Sequence, residues 1–403
     1  MKNKKLLKST KEAYFALTLA TLALIINFWA WTLLSPLGVK YAAELSLDPA
    51  KLSLLLAVPV IIGSLGRIVL GMLTDRFGGR IMFSVVCLLT SLPVIGLTLV
   101  NDFSQLLLVA AFLGLGGAIF AVGIPFISPW FSPAKRGLIL GIYSAGNIGT
   151  ALSAFATPRL EGLIGRDPTF LLVSGLLITI GTVFAIYGRN SPEWKPDKGS
   201  STAKLIEAVR QPLTWDLAIV YAVSFGAFVA FGVYLPVLLK VAYGLTLTDA
   251  ASRAAGFVLL ATIARPIGGF LSDKIGGKYI VQLCLLMIIF LASFVAFQPT
   301  LSHQTTVAYL LLAFILGCCN GAVFALVGRR AKPTSMGSVT GIIGAVGGLG
   351  GFLPPLVLGL TFQKTGSYAI ALMMLAIISF VVLLRVRVRF KDVSLYKSIR
   401  QSV

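Results

Sequence analysis

A chain of 403 residues that is 57% hydrophobic and only 12% charged excludes a water-soluble protein, since soluble domains carry about 25% charged residues. It equally excludes a secreted disulfide scaffold and a disordered chain, because the four cysteines lie inside apolar runs and apolar residues dominate. The formal net charge of +20 would suggest a nucleic-acid partner in a soluble protein, but here Lys and Arg lie in short segments between apolar stretches. The composition therefore predicts a polytopic protein of the lipid bilayer with no nucleic-acid partner.

Twelve apolar segments follow one another along the chain, each near the length of about 20 residues that a membrane-spanning helix needs. We expect all of them to be helices, because an isolated strand in lipid would leave its backbone groups without hydrogen bonds. The predicted fold is therefore all-α, with spans at 13–36, 51–73, 80–100, 104–128, 137–159, 167–188, 213–239, 249–272, 279–298, 306–327, 337–360 and 367–386.

Lys and Arg are divided unevenly between the two sides of the predicted membrane. With the N-terminus inside, the cytoplasmic segments hold 25 of these residues, the opposite side holds 7, and 2 lie inside spans. An excess of Lys and Arg in short loops marks the cytoplasmic side. The sequence thus predicts a multi-pass protein of the cell membrane with both termini and the polar segment 189–212 in the cytoplasm.

Two stretches of the chain repeat each other at a constant offset of 198 residues. Residues 66–80 read GRIVLGMLTDRFGGR and residues 264–278 read ARPIGGFLSDKIGGK, and a second echo links 117–121 (GAIFA) with 321–325 (GAVFA). The repeat predicts two six-helix halves, 1–188 and 213–403, joined by a cytoplasmic linker at 189–212. Two such halves in parallel are typical of major facilitator transporters.

The loop sequence GMLTDRFGGR (71–80) and its weaker copy GFLSDKIGGK (269–278) resemble the cytoplasmic loop motif of the major facilitator superfamily. Glycines allow helices to approach closely and form a tight turn, and charged side chains there can bridge neighbouring helix ends. A solvated turn with a helix cap is the alternative interpretation. The motif predicts a cytoplasmic gate formed by Asp75, Arg76, Arg80, Asp273 and Lys274.

Arg67 and Arg265 occupy the same position of the repeat, eight residues before each loop aspartate and hence about 12 Å along a helix from the membrane surface. Burying each charge costs about 2.5–3.5 kcal/mol. All fourteen Asp and Glu residues lie in loops or near helix ends, Asp216 being the deepest. Two uncompensated arginines facing one cavity predict an anion site, because the planar guanidinium binds an oxyanion through two hydrogen bonds. Gate charges satisfied by helix carbonyls are the alternative.

Spans five and eleven are dense in glycine, which by itself is explained by close helix packing. Asn147 is an amide inside span five, and we expect it to face the cavity. The segments AGNIG at 145–149 and GAVGGLGG at 344–351 resemble the two nitrate signatures of the nitrate/nitrite porter family, a branch of the major facilitator superfamily. The resemblance covers essentially the whole chain.

The resemblance implies roles for particular residues. Arg67 and Arg265 bind the anion, Asn147 supplies a hydrogen bond, and Phe120 and Tyr221 hold the flat ion between their rings. The glycines of the two signatures are Gly146, Gly149, Gly344, Gly347, Gly348, Gly350 and Gly351, and residues such as Gly347 and Gly348 would let span eleven slide and tilt.

We therefore predict a secondary transporter, not an enzyme, that carries nitrate, nitrite or both as a monomer without cofactor or metal. Exchange of the two anions and proton-linked nitrate uptake both remain open, as does the direction. No Asp or Glu lies at the middle of a span, so proton coupling would need another route. The alternatives are a major facilitator carrier of formate, oxalate or another organic carboxylate, a channel-like anion pore, and a membrane sensor without flux.

Overall fold

The structure is a computed structural model that describes residues 2–47, 49–195, 201–297, 300–332 and 335–390. Within these ranges the chain is helical and contains no strand, which confirms the all-α prediction. The long helices are α1 (Lys2–Trp31), α2 (Pro49–Phe77), α3 (Gly79–Gly96), α4 (Phe103–Ala118 and Phe120–Ile127), α5 (Arg136–Ser144 and Ile148–Ile164), α6 (Arg166–Tyr187), α7 (Pro212–Tyr243), α8 (Leu247–Leu271), α9 (Gly277–Ala296), α10 (His303–Arg330), α11 (Met336–Thr365) and α12 (Ala369–Arg389).

Eleven apolar helical stretches among the described residues are long enough to cross a membrane, and one of them, Ser252–Ala296, has 45 residues. A π-helical turn at Ser272–Gly276 divides this stretch into α8 and α9. Gly276 has a φ of 108°, a backbone conformation that glycine adopts without steric cost. The described chain therefore contains the twelve predicted spanning helices.

Helix α5 is interrupted by a 3₁₀ turn at Ala145–Asn147. The Asn147 side-chain amide donates to the carbonyl of Ser144 at 2.7 Å, and the backbone N–H of Ile148 turns to the carbonyl of Ala145 instead. A polar side chain that competes for a backbone carbonyl in this way disturbs an α-helix locally. The first glycine-rich signature thus forms a tighter turn in the middle of a spanning helix.

The predicted linker at 189–212 contains a short helix. Ser201–Arg210 form a helix, the linker helix, while residues 196–200 lie outside the described residues. Leu205 is half-buried and Ala208 is buried, whereas intervening side chains face outward, a spacing that fits one face of a helix. Part of the polar linker is therefore an amphipathic helix, which its polar composition alone did not indicate.

The side of the bundle that carries the linker, here called the linker side, is closed by two matched helix contacts. Gly71 of α2 lies against the backbone of Gly337 at the start of α11. Gly269 of α8 lies in the same way against Gly137 at the start of α5. A side-chain carbon at any of these four positions would overlap the facing backbone, so the approach depends on glycine.

Candidate functional site

The two predicted arginines lie in the centre of the bundle, on α2 and α8, and both side chains are fully buried. Arg67 donates from Nε to the Gly117 carbonyl at 3.2 Å and from Nη1 to the Gly344 carbonyl of α11 at 2.8 Å. Arg265 donates from Nη1 to the Ser144 carbonyl of α5 at 3.5 Å. Each arginine therefore donates to a backbone carbonyl on a helix of the other six-helix half.

No carboxylate of the described residues neutralises these arginines. Among the described residues, neither Arg67 nor Arg265 has an acidic partner within ion-pair distance. Asp216, the deepest acid in the sequence, pairs instead with Arg385 of α12 at 2.8 Å. A buried charge without a partner is strongly unfavourable, so an anion bound at the centre of the bundle would stabilise the two guanidinium groups.

Buried donors without acceptors lie at the two arginines and on the neighbouring helices α7 and α10. The buried atoms with no hydrogen-bond partner include Nη2 of Arg67, Nε and Nη2 of Arg265, the Tyr221 hydroxyl and Nδ2 of Asn320. The carbonyl oxygen of the Asn320 amide is already occupied, since it accepts from the Ser224 hydroxyl at 2.7 Å. Because buried polar groups are normally paired, this set of donors indicates a site for an acceptor, and the arginines make that acceptor an anion.

One aromatic ring, that of Phe225, lies within cation–π distance of both arginines. The ring centre of Phe225 on α7 lies 5.4 Å from the guanidinium carbon of Arg67 and 5.4 Å from that of Arg265, so the two charges are no more than twice that distance apart. Contacts of this kind stabilise a cation above a ring face. Three further rings lie near the charges: Trp31 at 5.9 Å and Phe120 at 5.6 Å from Arg67, and Phe228 at 4.9 Å from Arg265.

Phe120 and Tyr221 meet at a third ring that the sequence did not single out. Phe324 of α10 contacts Phe120 edge to face at 4.9 Å and Tyr221 edge to face at 4.8 Å. Phe120 also stacks on Tyr143, and Tyr221 stacks on Phe225 at 4.8 Å and 7°. The two predicted rings thus belong to one aromatic cluster, in which Phe324 contacts both of them.

Asn147 lies beside the site, but its amide already has a partner. Its Nδ2 donates to the Ser144 carbonyl, and that carbonyl also accepts from Arg265. Asn147 therefore shares an acceptor with Arg265 at the turn in α5. The unpaired amide of the cluster belongs to Asn320, which the sequence could have revealed by the criterion that picked out Asn147, a lone amide within an apolar span.

The signature glycines all lie where another group approaches closely. On α5, Gly146 contacts Leu24 and Gly149 contacts the Ile25 carbonyl of α1. On α11, the facing groups are Arg67 for Gly344, the Tyr221 ring for Gly347, Ser64 for Gly348, Ala222 for Gly350 and Val229 for Gly351. Two of these glycines, Gly344 and Gly347, therefore lie directly against the Arg67 and Tyr221 side chains.

Each loop aspartate of the predicted gate accepts hydrogen bonds from the N-terminus of a helix in the other six-helix half. The Asp75 carboxylate accepts from the backbone N–H groups of Gly337 and Ser338 at 3.0 and 3.2 Å, at the N-terminus of α11. The Asp273 carboxylate accepts from the Leu138 N–H at 2.9 Å, at the N-terminus of α5, and pairs with Arg329 at 2.6 Å. Carboxylates stabilise helix N-termini by accepting otherwise unpaired N–H groups.

In the described structure, the recorded contacts of the basic residues predicted for the gate all lie within their own six-helix halves. Arg80 donates to the Ala185 carbonyl near the end of α6, and Lys274 lies over the ring of Phe270 on its own helix. Arg76 lies near the ring of Phe77. Of the five residues predicted for the gate, Asp75 and Asp273 are therefore the ones that contact the other six-helix half.

Comparison with known proteins agrees with this architecture. The family model described as Major Facilitator Superfamily matches residues 20–355. A Mycobacterium tuberculosis protein named "Probable nitrate/nitrite transporter NarK2" is 44% identical over 363 residues, 89% of this chain and 92% of that protein. The "Nitrite extrusion protein" of Bacillus subtilis is 37% identical over 374 residues, 92% of this chain and 94% of that protein.

A solved structure supports the fold alone. The human organic anion transporter MFSD10 (TETRAN) superposes with a TM-score of 0.75 at 13% identity, over 93% of this chain and 99% of that chain. The family match and the two relatives identify the chain as a secondary transporter. By the family match and its relatives, the chain belongs to the major facilitator superfamily and, within it, to the nitrate/nitrite transporters.

Proposed function

We propose that this protein carries nitrate and nitrite across the cytoplasmic membrane by alternating access, exchanging one anion for the other. The observation that supports it most is the set of unpaired buried donors around Arg67 and Arg265. A small planar oxyanion carries acceptors around its whole edge and so satisfies donors that converge from several helices. The relatives' names, nitrate/nitrite transporter and nitrite extrusion protein, supply the identity of the anion.

Both halves of one chain supply the site, so we propose that a monomer, residues 1–188 and 213–403 around the linker, is sufficient for transport. In the present state the linker side is closed, with Asp75 and Asp273 holding α11 and α5. The anion would bind between the arginines from the opposite side, and release would follow when these aspartate contacts separate. No carboxylate adjoins the arginines among the described residues, so exchange would proceed without a proton on the binding site.

The decisive experiment is flux into liposomes that contain the purified protein. Labelled nitrate uptake should be many-fold faster with nitrite trapped inside than with an inert anion inside, and should persist without a pH gradient. Formate and oxalate inside should accelerate uptake far less than nitrite. Uptake that requires a proton gradient would replace exchange by symport, and equal stimulation by organic carboxylates would overturn the proposed substrate.

The cytoplasmic location of the linker rests on the charge asymmetry and has its own test. Lys195 is an exposed residue of the linker, whereas the four native cysteines are buried and therefore poorly reactive. We expect a Lys195→Cys variant to resist a membrane-impermeant thiol reagent in intact cells and to react after permeabilisation. Asn101→Cys, an exposed position in the loop between α3 and α4, should show the opposite behaviour and serves as the control. Labelling of Lys195→Cys in intact cells would reverse the proposed orientation.

The two amides near the site should differ in importance. Asn320→Ala removes an unpaired buried donor, whereas Asn147→Ala removes an amide that already donates within its own helix. A hydrogen bond to a charged group contributes about 1.5–3 kcal/mol, so we expect Asn320→Ala to weaken nitrate affinity about 10- to 150-fold, and Asn147→Ala to weaken it less. Nitrate titration of the purified variants measures both, and an equal or reversed order would remove Asn320 from the site.

The aspartate contacts should set the balance between the two open states. Removal of a helix N-cap costs about 0.5–2 kcal/mol, so Asp75→Ala should shift the linker side towards the open state about 2- to 30-fold. Spin labels at Phe77→Cys and Ile275→Cys, exposed positions related by the repeat, report this opening as a longer distance. Asp102→Ala is the matched control, since Asp102 caps only its own helix, α4. An unchanged distance distribution in Asp75→Ala would show that this contact does not gate.

A further inference from the structure

A second charged cavity lies away from the central site, on the linker side between the ends of α2, α3 and α6. Its volume is about 720 Å³, within the range of about 300–1,000 Å³ typical of ligand pockets. Arg76 and Arg80 line it together with Trp194, and no acidic residue belongs to its lining. Neither arginine is assigned to the transported anion, which binds in the buried centre.

The two arginines present their charge to the cavity without a counter-ion. Arg76 is exposed and, in the part of the chain that the structure describes, forms no hydrogen bond or ion pair, its one contact being the ring of Phe77 at 5.4 Å. Arg80 donates from Nη2 to the Ala185 carbonyl in the last turn of α6, which fixes the guanidinium group at the cavity wall. Its remaining N–H groups are available, so the cavity is suited to oxygen atoms of an anion such as a phosphate ester.

The cavity continues into a strip of exposed apolar side chains on the outer face of α3. Ile81 and Val85 line it and are exposed, and Leu88 and Leu92 extend the same face of α3 at spacings of three and four residues. From Ile81 to Leu92 this strip covers about 16 Å along the helix. Trp194, whose residue type is enriched at the membrane–water interface, lies at its charged end. A ligand that fits both parts has an anionic head and a long apolar chain.

We propose that this cavity binds an anionic phospholipid of the linker-side leaflet, with its phosphate between Arg76 and Arg80 and an acyl chain along α3. A soluble phosphate ester offers the same head chemistry but leaves the apolar strip uncovered. The exposed strip is the reason for choosing the lipid.

The test uses the full-length protein purified in a neutral detergent and titrated with phosphatidylglycerol, with binding followed by native mass spectrometry. A lysine or arginine near an anionic lipid changes its binding about fivefold, so Arg76→Gln and Arg80→Gln should each weaken binding by about that factor. Arg76→Lys and Arg80→Lys keep the charge and should bind nearly as the parent does. Lys135→Gln, an exposed cation on the same side but outside the cavity, should leave binding unchanged.

Two comparisons distinguish the source of the phosphate. Glycerol 3-phosphate, which has the head without the chains, should fail to compete with phosphatidylglycerol, and binding as tight as that of the lipid would overturn the proposal. Phosphatidylglycerol brominated on its acyl chains should quench the fluorescence of the parent protein more than that of Trp194→Phe. Equal quenching, or glutamine variants that bind like the parent, would show that no lipid occupies this cavity. None of these outcomes depends on which anion is transported.

Discussion

Replacing either central arginine by lysine should abolish high-affinity nitrate binding although the net charge is unchanged. Lysine is a point charge and cannot replace the planar fork of Arg67, which donates to Gly117 and Gly344 and still has Nη2 free. A lost charge-assisted hydrogen bond costs about 1.5–3 kcal/mol, so Arg67→Lys and Arg265→Lys should each weaken affinity at least about 10-fold, and exchange should fall accordingly.

The measurement is nitrate titration of the purified variants combined with exchange in liposomes. Arg385→Lys is the matched control, because it makes the same substitution at an ion pair with Asp216 away from the site, and its nitrate affinity should equal that of the parent. If both central lysine variants bind nitrate as the parent does, two-point recognition is wrong and only a diffuse positive field attracts the anion.

The same geometry favours exchange over leak. Two like charges at about 10 Å in an effective dielectric near 20 repel each other by about 1.7 kcal/mol. An anion between Arg67 and Arg265 removes that repulsion and contacts helices of both halves. A ligand shifts a conformational equilibrium only by binding its states differently, and closure around the anion is such a difference. The loaded carrier should therefore cross between its open states faster than the empty one.

Gly347→Ala should block transport by displacing Tyr221. An added Cβ at position 347 would overlap the Tyr221 ring, and overpacking of this kind costs about 1–3 kcal/mol. Alanine is a better helix former than glycine by about 1 kcal/mol, so α11 itself should not be weakened. We expect at least a 10-fold loss of nitrate exchange with normal amounts of protein in the membrane.

The control is Gly256→Ala on α8, where nothing lies within 4 Å of the added carbon and exchange should be unchanged. A double-mutant cycle with Tyr221→Ala locates the cause, because without the ring Gly347→Ala should add no further loss. An additive loss would mean that Gly347 acts through the movement of α11 and not through Tyr221.

The two charged residues at the centre of the site could be predicted from the sequence. Arg67 and Arg265 could be predicted because the repeat places them alike and no Asp or Glu lies within seven residues of either. Phe324 could also be predicted, since the echo of GAIFA in GAVFA pairs it with Phe120, although the family resemblance implies a role for Phe120 alone.

What sequence could not supply was pairing between distant segments. The contact of Asp75 with the start of α11 joins residues 262 apart, and a loop motif by itself does not name its partner. Likewise the Arg265 side chain donates to the Ser144 carbonyl, 121 residues earlier, and nothing near either residue in the sequence indicates that pair. These contacts are fixed by tertiary packing, which composition and periodicity do not encode locally.

The one-sided hydrogen bonding of the central site also selects the protonation form of the solute. Of the unpaired buried groups named at the central site, the arginine nitrogens and Nδ2 of Asn320 can only donate, and the Tyr221 hydroxyl can donate or accept. A deprotonated oxyanion presents acceptors to all of these groups, whereas its conjugate acid brings a hydroxyl hydrogen that would oppose N–H groups. The carrier should therefore take weak acids only as their conjugate bases, and acidification should lower transport of a weak-acid anion by depleting its ionised form in solution.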